Sequence, residues 1–439
     1  MTKNRKGDNM SAFDKIIGYD NIKEELIEFC DMVTSKEKYE KLGARLPQGI
    51  LIYGEPGLGK TLMAKCVIEE CDIMSFTLRR NKGNDDFVAN ISETFKTAKE
   101  HAPSIIFLDD LDKFANEDKN HRDAAEYVAV QAGIDDVKGS DVFVIATANK
   151  VWKLPDSLVR VGRFDIQIEV EDPTESDAEA IIKHYLSDKP LSQDVDMDDL
   201  SKMISYSSCA ELEDILNKAA ISAASKGKES IQMCDLVKAV LKTQYHLPDE
   251  FLDDSTEEGR KVALHEAGHV VMCECLNPGM VGLTSIVATG RCDLHGFVHQ
   301  CKSLKNWEGD ILVSLAGKAA VELYYSDSCT IGCKDDLERA HLCIREHMSE
   351  EGSLGFGMLN VGSERDLETS QSYLARSEAV THAELEKYMS QVRRILLENR
   401  EFLDDVTKEL LDKGTLLHSD IRRIREKHIA GATEESLSA

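Results

Sequence analysis

The chain has 439 residues, 42% hydrophobic and 30% charged, with 27 Gly and only 8 Pro, a composition that excludes collagenous, low-complexity and wholly disordered chains and leaves room for about three domains. Its 53 Lys and Arg against 80 Asp and Glu give a net charge of −27, which repels phosphate backbones and anionic lipid and argues against a nucleic-acid partner. Apolar runs such as Val142–Ala148 fall far short of the roughly 18 residues of a membrane span, the basic start leads into no apolar stretch, and the 12 cysteines form no CxxC pair, so a reduced, cytoplasmic protein with no intrinsic membrane span is expected.

In chain order, a tail over 1–12 precedes alternating strands and helices between Ile16 and Val170. Strands are expected at Gly49–Tyr53, Ser75–Leu78, Ser104–Asp109, Val142–Ala146 and Ile166–Val170. Largely apolar strands separated by amphipathic helices indicate a parallel sheet covered on both faces, here an α/β domain over 13–172. Residues 173–244 read as a small helical lid, with an Ala-rich helix at Ala210–Ala224. The acidic YHLPDEFLDDS has no sustained period and marks a linker over 245–256. A third, mostly α-helical domain over 257–429 follows, with a short β element around Leu283–Gln300 and a frayed tail over 430–439.

The run Gly54-Glu55-Pro56-Gly57-Leu58-Gly59-Lys60-Thr61 matches G-x-x-x-x-G-K-[ST]. It lies between a strand and the helix Thr61–Glu70, which also takes in Leu62, and that is the context the motif requires. The glycines let backbone N–H groups curl around a phosphate, Lys60 neutralises the β- and γ-oxygens, and the Thr61 hydroxyl suits Mg²⁺. Asp109 and Asp110 end the third strand. The first is expected to hold Mg²⁺ through water and the second to orient or deprotonate the attacking water. Asn149, at the end of the next strand, can position the same water. The guanine signature N-K-x-D fails, since Asn149-Lys150 is followed by Val151 and Trp152, so the expected nucleotide is ATP. Arg160 and Arg163 flank Val161-Gly162 in a loop, where either can serve a neighbour's γ-phosphate as an arginine finger.

His265-Glu266-Ala-Gly-His269 falls within a helix expected at Glu257–Leu276. The i, i+4 spacing puts both imidazoles on one face, where they can converge on zinc, and Glu266 beside them can take the proton of the attacking water. Met272 and Cys275 stand where a metzincin would have Gly and His. The third ligand is sought at Asp336, which opens a helix in TIGCKDDLERAH, with Asp335 and Glu322 as alternatives. His295 and His299 are expected on a strand in structural or cleft-lining roles, and Cys273 and Cys275 as buried thiols.

A P-loop ATPase, a helical lid and an HExxH helix in this order resemble the FtsH family of ATP-dependent zinc proteases. The resemblance runs from about Phe13 to Ile424. It is carried by Ile17-Gly18-Tyr-Asp, LPQGILIYGEPGLGKT, APSIIFLDD, VRVGRFD, CAELEDILNKAA and HEAGH. It places Ile17 and Gly18 at the nucleotide site, makes Asp336 of GCKDDL the third zinc ligand, and implies a homohexameric ring acting on polypeptides, with fingers working between subunits. Three departures stand out. The family is usually membrane-anchored whereas a soluble protein is expected here, Asp110 replaces the family's Glu, and the pore loop's aromatic-Val-Gly is replaced by Asn81-Lys-Gly-Asn-Asp-Asp-Phe87. Shortening the Glu side chain draws the carboxylate back and slows hydrolysis, while Lys82 and Gly83 offer no apolar paddle unless Phe87 serves from a shifted position. The leading expectation is an ATP-fuelled endopeptidase. Its alternatives are a remodelling ATPase with little proteolysis and a peptidase whose nucleotide mainly drives ring assembly.

Overall fold

The structure, a computed structural model, describes residues 11–80, 86–115, 124–160, 162–246, 257–289, 293–301, 304, 306–326, 332–350, 353–355 and 371–438. They fall into two compact units, 1–189 with 206–217, and 190–205 with 218–439.

In the first unit, α1 (Asp20–Thr34) and α2 (Lys36–Glu40) lead into β1 (Gly49–Tyr53), followed by α3 (Lys60–Cys71), β2 (Met74–Arg79), α4 (Phe87–Glu100), β3 (Ser104–Asp109), α5 (Ala124–Asp136), β4 (Val142–Ala148) and β5 (Ile166–Glu169). The five strands form one parallel sheet in the order β2-β3-β4-β1-β5. Both β3 and β4 are buried along their whole length, as expected of strands covered by helices on both faces. Gly133 on α5 makes the α4 contact possible, since a Cβ there would meet the Phe95 ring at 2.5 Å. Ligands of such sheets bind at the carboxyl ends of the strands, which here present Tyr53, Arg79, Asp109 and Ala148.

The expected lid is four helices: α6 (Glu175–Leu186), α7 (Met197–Met203), α8 (Cys209–Ser225) and α9 (Met233–Gln244). A capping box between Thr174 and Asp177 starts α6. The boundary of the two units runs through these helices, with α6 and the start of α8 in the first and α7, α9 and the rest of α8 in the second.

The second unit continues with α10 (Glu257–Leu276), β6 (Val281–Thr289), β7 (Asp293–Gln300), α11 (Trp307–Tyr325), α12 (Cys333–Glu350), α13 (Gln371–Glu398), α14 (Arg400–Lys413), β8 (Thr415–Leu417) and α15 (His418–Ser438). The β element read around 283–300 is thus a pair of antiparallel strands, joined by β8 in the order β7-β6-β8. Helix α10 is buried from Val262 to Glu274, sharing one apolar core with α11, α12, α13 and α14. Glu274 closes it by accepting the N–H groups of Gly279 (2.8 Å) and Val281 (3.1 Å), which fixes the turn into β6. Among the described residues no helix is long and apolar enough to cross a membrane.

Candidate functional site

In the first unit the P-loop runs from β1 into α3 with Gly54, Gly57 and Gly59 at φ of +146°, +89° and +87°. A Cβ at Gly54 would lie 2.1 Å from the Val170 carbonyl, so both the space and the backbone there require glycine. The loop borders a cavity of about 570 Å³, within the range of a small-ligand site. Pro56, Gly57, Leu58, Gly59, Lys60, Thr61 and Leu62 line it, as do Asp110, Asn149 and Ile17. Ile181, Tyr185 and Cys209 supply a wall on which a purine can pack. Gly54 and Glu55 shape the loop from outside, the Glu55 carbonyl accepting from Lys60 Nζ at 2.5 Å. Gly18 (φ +70°) sits against Asp177, which takes the neighbouring Tyr19 N–H at 2.8 Å and so pins this segment to α6. Burial pulls the Lys60 ammonium below its ordinary pKa, against Asp110, Asp112 and Glu55, so an arriving polyphosphate meets a poorly solvated cation.

Beneath the cavity Asp109 is 3% exposed. Its Oδ1 accepts from Thr61 and Thr147, each at 3.0 Å. This oxygen-only set of a hydroxyl and a carboxylate fits Mg²⁺. Asp110 sits in the left-handed region at φ +57°, costly for a residue with a Cβ. The conformation puts its Oδ1 3.5 Å from Asn149 Nδ2 and its Oδ2 2.6 Å from Lys113 Nζ. The structure therefore brings Asp110 and Asn149 together as expected, and adds Thr147 and Lys113.

The structure also places Arg163, Arg160 and Phe87. Arg163 is turned inward. It is 3% exposed, forks onto Asp135 (Nε 3.2 Å, Nη2 2.8 Å) and donates to the Ser157 carbonyl. Arg160 in the same loop is exposed. Phe87 does not serve as a paddle, for it is 3% exposed and packs edge-on against Phe114 at 5.2 Å. Lys82 and Gly83 lie outside the described residues.

In the second unit the HExxH turn of α10 faces α12. His265 Nε2, His269 Nε2 and Asp336 Oδ2 lie 3.0 Å (His–His), 3.0 Å (His265–Asp336) and 3.2 Å (His269–Asp336) apart. Two imidazole nitrogens and a carboxylate oxygen converging in this way match the donor types and count of a zinc site with an open position. Asp335 is exposed and outside the cluster, and Glu322 is taken by Lys318 (2.5 Å) and Arg393 (2.8 Å). His299 donates or accepts between Tyr245 (2.8 Å) and Ser205 (3.0 Å), and burial depresses its pKa to about 4. It is a structural residue; the side chain of His295 is outside what is described. Cys273 is buried as expected, whereas Cys275 is exposed.

The second ring nitrogens are held as well. His269 Nδ1 meets the Val313 carbonyl at 2.7 Å, and His265 Nδ1 meets Cys333 Sγ at 3.7 Å, which fixes ring orientation. Burial opposes charge on His265, but Asp336, Cys333 and Glu266 outweigh it and push the imidazole up to about 10. Burial likewise opposes the charge on Asp336, which the two imidazoles nevertheless hold well below the carboxylate range. Glu266 is 5% exposed, and burial raises its pKa, with the histidines opposing and Asp336 adding. A raised carboxyl next to the cluster suits a group that must take and return a proton.

The sequence reading missed the glycines behind this arrangement. A Cβ at Gly317 on α11 would sit 2.4–2.6 Å from three atoms of the His265 ring, and one at Gly268 would sit 2.6 Å from the Ala316 carbonyl. The small-residue string LAGKAA on α11 was the available signal.

Residues 50–172 match the ATPase family associated with various cellular activities (AAA), and residues 253–424 match peptidase family M41. The chain is 30% identical to the ATP-dependent zinc metalloprotease FtsH of Thermus thermophilus, over 94% of this chain and 70% of that protein. The chain belongs to the FtsH family. The FtsH 3 of Symbiobacterium thermophilum is also 30% identical, over 95% of this chain and 71% of its own length. The FtsH of Leptotrichia buccalis is 32% identical over 97% of this chain, which spans 58% of that relative. The two sites thus fall in the two matched domains, one in the AAA ATPase and one in the peptidase, and the cofactors of the family are zinc, ATP and Mg²⁺.

Proposed function

We propose that the chain is an ATP-dependent zinc metalloendopeptidase that degrades unfolded or tagged polypeptides as a cytoplasmic homohexamer. The observation that carries the reading is the convergence of His265, His269 and Asp336 within 3.2 Å, with Glu266 buried at their side. Bound zinc supplies Lewis acidity and brings the pKa of water to about 7. His265, His269 and Asp336 hold the ion, and Glu266 accepts a proton from the attacking water and passes it to the leaving amine. Residues 257–429 act as the peptidase and 13–172, with the lid 173–244, as the ATPase, joined through 245–256.

In the ATPase the P-loop N–H groups and Lys60 hold the phosphates, Thr61 and Asp109 the Mg²⁺, and Asp110 with Asn149 the attacking water. Arg160, exposed on its loop, acts as the finger on the next subunit's nucleotide, in the head-to-tail contact of a closed ring.

The test is Glu266→Gln with an unfolded reporter polypeptide. Peptide release is expected to vanish while phosphate release continues; a mutant that still cuts removes Glu266 from the mechanism. A second reading, in which nucleotide mainly assembles the ring, is favoured by the Lys113 grip on Asp110 and by the burial of Phe87. Under it, Asp110→Glu leaves phosphate release unchanged, whereas a slow motor speeds up.

A further inference from the structure

The register of β2 on β3 sets Arg79 beside Asp109 at the carboxyl edge of the sheet. Its guanidinium reaches across both carboxylates, Nη1 at 3.5 Å from Asp109 Oδ2 and Nη2 at 3.6 Å from Asp110 Oδ2. Both separations exceed hydrogen-bond length. The carboxylates have closer partners: Asp109 Oδ1 has Thr61 and Thr147 at 3.0 Å, and Asp110 Oδ2 has Lys113 at 2.6 Å. Arg79 is therefore attracted to this pair without being their directed partner.

The same side chain lines the cavity that holds Lys60, Thr61 and Asn149, and it remains 58% exposed. The other cations of the cavity wall are each engaged more closely. Lys60 takes the Glu55 carbonyl at 2.5 Å, Lys15 the Glu69 carboxylate at 2.5 Å, and Lys113 takes Asp110. A guanidinium keeps its charge at any working pH and offers a planar fork that fits two oxygens of one phosphate. ATP differs from ADP by the phosphate that must sit closest to the water-orienting groups Asp110 and Asn149, where Arg79 also lies.

From this placement we infer that Arg79 is a phosphate-binding residue acting within its own subunit, turning from the Asp109–Asp110 pair to the terminal phosphate of ATP. The inference rests on the ATPase reading above and deepens it. Binding of the nucleotide then exchanges a loose carboxylate contact for a bidentate one and removes the guanidinium charge from beside both carboxylates. Selectivity for ATP over ADP follows, because only ATP offers the acceptor.

The experiment is calorimetric titration of the full chain with Mg-ADP and with a non-hydrolysable Mg-ATP analogue, in the wild type, Arg79→Gln and Arg79→Lys. Loss of a charge-assisted bidentate contact is expected to weaken the analogue about tenfold or more in Arg79→Gln, with ADP changed by less than about twofold. Arg79→Lys, which keeps the charge without the fork, falls between. Retained ADP affinity reports an intact fold in each variant. Equal weakening of both nucleotides overturns the inference, as does unchanged analogue affinity with faster hydrolysis, which would make Arg79 a restraint on the carboxylates. A wild type that binds neither nucleotide sinks the ATPase reading itself.

Discussion

The nucleotide cavity forms at the ends of parallel strands from backbone N–H groups and long charged side chains, and it stays open over about 570 Å³. The metal cluster is set inside a helical core, its histidines 3% and 8% exposed and its three donor atoms within 3.2 Å of one another. The contrast shows where each site draws its accuracy. Backbone curvature and side-chain cations define the first, and its openness leaves room for the proposed finger Arg160. Helix packing defines the second, so a single methyl group behind an imidazole is expected to weaken it although no ligand changes.

The largest effect that would break this contrast concerns the open side. Arg160→Ala is expected to lower phosphate release about 10³-fold while ADP affinity and thermal unfolding stay as in the wild type. An undiminished rate would mean that the cavity is complete in one subunit. Next comes Asp336→Asn, for which zinc affinity by dialysis is expected to fall by more than the roughly 10–100-fold of an outer-partner loss, with nucleotide binding untouched. Gly317→Ala should cost about 10–100-fold in zinc affinity through the displaced His265 ring, although no ligand is changed. If zinc binds normally there, packing does not set the imidazole.

The smallest effect is a pH dependence at the loop that carries both arginines. Hydrogen bonds from Arg163 first, then Lys138, hold the Asp135 carboxyl at about 2, from an ordinary 3.8. A depressed carboxylate stabilises the fold above the unfolded value and loses that contribution as pH falls toward 2. Arg163→Gln should therefore reduce stability at neutral pH and flatten its loss between about pH 4 and 2, as read by denaturant unfolding across that range. An unaltered acid profile would return Arg163 to the candidate fingers.

Local pattern carried much of this from the sequence. The observed bounds of β1 and β3 and of the metal helix Glu257–Leu276 coincide with the expected ones, because each is an apolar or periodic run between clear breaks. The P-loop and the histidine pair are legible for the same reason. Asp336 is 67 residues beyond His269, a separation that spacing cannot bridge, so it was reached through GCKDDL and the family resemblance. The inward turn of Arg163 depends on Asp135, on a helix elsewhere in the chain. Arg79 owes its place to sheet register, and Gly317 to a contact between helices. Such facts appear only once the elements are packed. The burial of Phe87 at the start of α4, against Phe114, is likewise a packing fact.

The central claim is that one chain couples the two sites, and the direct measurement follows peptide release and phosphate release together. Zinc-loaded protein is incubated with an unfolded reporter, with Mg-ATP and separately with a non-hydrolysable analogue. The account predicts peptide release with ATP and none with the analogue. Equal cleavage in the presence of the analogue, or steady phosphate release with the reporter left intact, would contradict it.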